Sequence, residues 1–67
     1  MDKYTALKTF KHVYHENSIT VLHAEQIDEK NWLIKADFPD GVFYFTVSEK
    51  TVSNSYNDAD SAIRSVL

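Results

Sequence analysis

A chain of 67 residues can bury only about 60% of the surface its unfolded form exposes, so it supports one core and a single domain over residues 1–67. Hydrophobic residues make up 43% and aromatic ones 13%, with one Gly and one Pro, which excludes a disordered segment. The net charge of −3 argues against a general polyanion binder, and zero cysteines exclude both a disulfide staple and a thiolate metal site.

No apolar run approaches the ~18 residues that span a bilayer, and Met1 to Phe10 mixes charged with apolar side chains instead of forming a signal peptide's apolar stretch. The expectation is a cytoplasmic protein with no membrane contact. Charge is unevenly spread. Residues 1–15 carry Lys3, Lys8 and Lys11 against Asp2, a balance of +2, whereas residues 16–67 carry four basic against nine acidic groups. The first element is basic on an acidic body.

From Lys3 to His15, Ala6, Leu7, Phe10, Val13 and Tyr14 recur at spacings of three and four, which predicts a helix with one buried stripe. Ile19 to Ile27 is rich in β-branched residues but alternates imperfectly, because Ile19, Val21 and Ile27 share parity with His23 and Glu25. It predicts an edge-like strand. After a polar turn at Asp28 to Asn31, Trp32, Ile34, Ala36 and Phe38 alternate with Leu33, Lys35 and Asp37, the pattern of a strand with one face in the core.

Phe38-Pro39-Asp40-Gly41 is a turn, and Val42 to Ser48 completes a hairpin. Two rules conflict over its register. The common three-residue loop pairs Phe38 with Val42 and sends Phe43, Phe45 and Val47 to the face opposite Trp32 and Ile34. An even loop, for example with Phe38 opposite Phe43, gathers these large side chains on one face, and the scarcity of core favours it. Thr51 to Tyr56 reads as a short fourth strand or an ordered loop. Asn57 and Asp58 are helix caps before the stripe of Ala59, Ala62, Ile63, Val66 and Leu67, so the chain closes with a helix. The expected fold is α+β, in the order α-β-β-β-(β)-α, with a small antiparallel sheet and two helices packed on one face.

Candidate sites are few. His12, His15 and Glu16 form an H-x-x-H-E run, but hydrolase zinc helices space paired histidines four apart around the glutamate, and no fourth ligand accompanies this one. Neither metal nor cofactor is expected. His23 has no nucleophile at catalytic spacing, no serine sits in a G-x-S-x-G elbow, and one glycine cannot build a phosphate loop. Asp37, Asp40, Asp58 and Asp60 have local reasons at a turn and a helix start. No enzyme is expected.

The element order resembles the double-stranded RNA-binding domain, which lays two helices on one face of a three-stranded sheet. That family meets phosphates through lysines opening its last helix. The matching stretch here, Tyr56-Asn57-Asp58-Ala59-Asp60, is acidic, so the resemblance implies fold and not function. The expected role is a non-enzymatic protein-interaction module, a regulator or accessory subunit that binds another protein or itself. Its surface comprises Lys8, Lys11 and His15 on the first helix, and Leu33 and Tyr44 on a sheet face left open by the helices. The alternative is nucleic-acid binding through the basic face of that helix, disfavoured by the net charge.

Overall fold

The computed structural model describes residues 1–67. Helix α1 spans Lys3–Val13, followed by β1 (Thr20–Gln26), β2 (Asn31–Phe38), β3 (Gly41–Ser48), β4 (Thr51–Val52) and α2 (Ala59–Arg64). The strands form one antiparallel sheet in the order β1-β2-β3-β4. The α+β class and the element order therefore stand, and the choice left open over Thr51 to Tyr56 falls to a two-residue strand, Thr51–Val52, followed by an isolated bridge at Tyr56.

Each helix begins at an aspartate. Asp2 caps α1 by accepting from the Thr5 N–H at 2.8 Å, and Asp58 caps α2 by accepting from the Ser61 N–H at 2.7 Å. These bonds satisfy amides that no helical carbonyl can reach. Helix α1 stops sooner than its apolar stripe implies. Tyr14 leaves helical geometry at φ −114° and ψ 76°, and its N–H still donates to the Phe10 carbonyl. Val13, read from periodicity as a buried position, is 50% exposed.

The β2–β3 hairpin resolves the conflict of rules. Phe38 lies opposite Gly41, so the loop is the two residues Pro39 and Asp40. The loop is even, and Trp32, Ile34 and Ala36 sit across from Val47, Phe45 and Phe43 on a common face. The pairing is tighter by two residues than Phe38 opposite Phe43. Proline cannot supply the positive φ that a mirror-image hairpin turn needs, and Gly41 absorbs it at φ +141°.

Strand β1 explains its own poor alternation. Val21 pairs with Ala36 and His23 with Lys35, so Leu22 is an extra residue in a β-bulge. The bulge switches parity within the strand. Val21 and Ala24 therefore share the α1 face, while His23 and Glu25 take the other.

The main core lies between α1 and the sheet: Ala6 and Phe10 pack with Trp32, Ile34, Ala36, Phe45 and Val47. Phe45 anchors an aromatic cluster, with ring centroids 5.0 Å from Phe10, 4.9 Å from Tyr14 and 5.5 Å from Phe38. Such tilted contacts add to the burial itself.

Helix α2 departs from the expected arrangement. It lies against β2 and β3 without touching α1, and its buried Ala62 is not among the residues of the main core. Leu33 and Thr46, which face each other across β2 and β3 with parity opposite to Trp32 and Ile34, are buried as well. The two helices thus cover opposite faces, not one. The reason is the connection after β4, which folds back along β3 through a Ser53 N–H to Thr46 carbonyl bond and the Tyr44–Tyr56 pair, and so delivers α2 to the far side. This also separates the architecture from the double-stranded RNA-binding domain, whose helices share a face.

Candidate interaction surface

The exposed side of α1 carries Lys3, Lys8 and Lys11. None of them lies within ion-pair distance of a carboxylate, since the chain's ion pairs are Asp60–Arg64 at 3.0 Å and His23–Glu25 at 3.9 Å. The nearest acid in sequence, Asp2, is committed to its cap. The Thr5 backbone N–H holds its carboxyl below the ordinary 3.8, so it is ionised but turned to the helix start.

Beside this ridge, the last turn of α1 and the beginning of β1 enclose an open groove of about 300 Å³. Phe10, Tyr14, Ile19 and Val21 supply its apolar lining, and Lys11, His15, Glu16 and Asn17 stand on its rim. Phe10 and Tyr14 stack at 5.1 Å, so the floor is held by the aromatic cluster beneath it. A second depression continues past Lys11 to Leu7, Leu22 and Lys3. On the other flank of α1, Lys8, Lys11 and His12 border a shallow trough shared with Glu49 and Lys50. Lys11 is the crest between these depressions.

Of the residues expected to bind a partner, Lys8, Lys11 and His15 are exposed on or next to α1. His15 lies beyond the helix, so it does not share a helical face with His12. No three His, Cys, Asp or Glu side chains come together in metal-ligand geometry. Leu33 is only 3% exposed and, with Thr46, is sealed beneath α2, so the open sheet face inferred from sequence is a second buried layer. Tyr44 is half-buried at the margin of that layer, in a cross-strand row with His23, Lys35 and Tyr56. The Lys35 Nζ sits 5.8 Å from the Tyr44 ring centroid, a cation–π contact that occupies one side of the ring.

The sheet has one open edge. Beyond β3, the outer edge is occupied by β4, by Ser53 bonded to Thr46 and by Tyr56. Beyond β1 there is no strand. The Ile27 N–H donates to the Asn31 carbonyl, which by antiparallel alternation turns the backbone N–H and C=O of Gln26 and Ala24 outward. Sequence reasoning recognised β1 as edge-like but missed the groove, because the parity switch at Leu22 hides which of its residues face α1.

Comparison with protein-family models, with curated proteins and with solved structures gives no match for this chain. Functional inference therefore rests on the surface just described. No helix is long and apolar enough to cross a membrane.

Proposed function

We propose that this chain is a non-enzymatic protein-interaction module, a regulator or accessory subunit whose docking surface is the exposed side of α1 with the groove between α1 and β1. The observation that carries the reading is the set of lysines without carboxylate partners on the exposed side of α1, with Lys11 on the rim of a groove floored by Phe10, Tyr14, Ile19 and Val21, Lys3 along the adjoining depression and Lys8 on the other flank. Unpaired cations beside a rigid apolar floor fit a partner segment that combines acidic and apolar side chains. Rim lysines set attraction and register, while the aromatic floor supplies the desolvated contact.

The same lysines would meet phosphates in the nucleic-acid reading. Charge decides against it, because the remaining residues 16–67 carry an excess of acids and would repel a long polyanion. A cytoplasmic location accords with the absence of cysteine.

The experiment is affinity capture from the native cell, with lysine-directed cross-linking, for the wild-type chain and a Lys8→Glu/Lys11→Glu variant. The proposal expects one protein linked through these lysines and lost from the variant. Recovery of RNA or DNA by the wild type alone would favour the alternative. Equal capture by both forms would remove α1 as the docking surface.

A further inference from the structure

We propose that β1 pairs antiparallel with β1 of a second copy of this chain, about a two-fold axis at Ala24. The inference stands apart from the docking role of α1 and rests on the open sheet edge.

An unpaired edge strand is a template for another strand, and proteins that stay monomeric blunt such edges with lysine, proline, bulges or very short strands. Strand β1 has seven residues, Thr20–Gln26, contains neither lysine nor proline, and beyond its bulge at Leu22 pairs regularly with β2 from His23 to Gln26. The opposite edge is blunted in this way, with β4 only two residues long. The outward N–H and C=O of Ala24 and Gln26 are the groups available for pairing.

Charge and size select the occupant and the register. With Ala24 on the axis, its N–H and C=O exchange two bonds with Ala24 of the second copy, and the small methyl groups meet without a clash. His23 of each copy then stands opposite Glu25 of the other, twice. The imidazole N–H donates to the carboxylate across the new ladder, joining a cluster already begun within each chain, where His23 Nε2 lies 3.9 Å from Glu25 Oε1. Leu22, 50% exposed at the bulge, falls opposite Gln26 of the second copy and loses solvent contact. Moving the axis by one residue to Glu25 would set that carboxylate against its own copy, a like-charge pair that disfavours the register. The sequence around Ala24 is thus complementary to its own reverse. The result is an eight-stranded continuous sheet built from two four-stranded ones.

Sedimentation velocity over micromolar to millimolar concentrations tests this. The expected result is a mass that rises from 7.7 kDa towards twice that value. Ala24→Pro should raise the dimer dissociation constant by about tenfold or more, because it deletes an outward N–H that the β1–β2 ladder does not use. Glu25→Lys should also weaken the dimer, and adding His23→Glu to it should restore pairing by reversing both partners. If Ala24→Pro fails to fold, the charge-reversal pair carries the test by itself, since both positions are exposed. A strict monomer at millimolar concentration, or a dimer indifferent to all of these substitutions, would overturn the proposal.

Discussion

The indole Nε1 of Trp32 donates to the Met1 carbonyl at 3.1 Å, tying Met1 to the start of β2 across thirty-one positions. This bond gives a buried polar atom its partner and fixes how α1 enters the core. Trp32→Ala should cost about 3 to 5 kcal/mol by opening a large cavity, enough to unfold a domain of this size. Trp32→Phe keeps most of the apolar contact and should cost about 1 kcal/mol more than its lost volume, as the price of the missing bond. Urea denaturation of both variants separates the two contributions.

Leu33 is the residue for which sequence and structure part most sharply. Alternation assigns it to the face away from Trp32, and the fold then buries that face under α2. Leu33→Ala should therefore destabilise the chain by about 2 to 5 kcal/mol, measured by chemical denaturation. A change below half a kilocalorie would restore Leu33 to the surface as a docking residue.

At Gly41 the cost of a side chain is conformational. A Cβ built there lies 3.8 Å from the Phe43 ring, an ordinary contact, but φ is +141°. Gly41→Ala should lower stability by about 1 to 3 kcal/mol with little change in the native contacts. Thermal melting with a two-state fit reads the loss.

Acid should destabilise the fold through three aspartates. The Ser61 backbone N–H holds the Asp58 carboxyl below 3.8, the Thr5 backbone N–H does the same for Asp2, and the Asn31 side-chain amide followed by the Lys30 N–H for Asp28. A folded value depressed below the unfolded one means stabilisation that is complete above 3.8 and lost as pH falls through the lower, folded value. Melting temperature should thus be level near neutrality with respect to these groups and fall below about pH 4. Asp58→Asn retains a capping side chain but cannot titrate, so its acid limb should be shallower than that of the wild type. Identical limbs would show that Asp58 is free of its cap in solution.

Much of the fold was legible because its signals are local. The Asp58 cap, the Pro39–Gly41 turn and the strict alternation of Trp32, Ile34, Ala36 and Phe38 each act within a few residues, and the elements they predict are present. What stayed hidden depends on contacts between distant segments. Whether α2 joins α1 or crosses to the other side is decided by Ser53 and Tyr56 pairing with Thr46 and Tyr44, and nothing in the stripe of Ala59, Ala62 and Ile63 announces that choice. The groove was concealed in the same way, since the bulge at Leu22 changes the face of each residue before it. The exposure of Lys8 and Lys11 was legible because a helical face can be drawn from spacing alone.

Helices α1 and α2 cover opposite faces of the sheet, and for that reason the proposed docking surfaces are α1, its groove and the β1 edge. Nuclear Overhauser contacts of the Ala62 methyl group test that arrangement most directly. The predicted result is magnetisation transfer from Ala62 to the side chains of Leu33 and Thr46. Transfer to Ala6 or Phe10 in their stead would contradict it, since it would seat α2 beside α1 and return Leu33 to solvent.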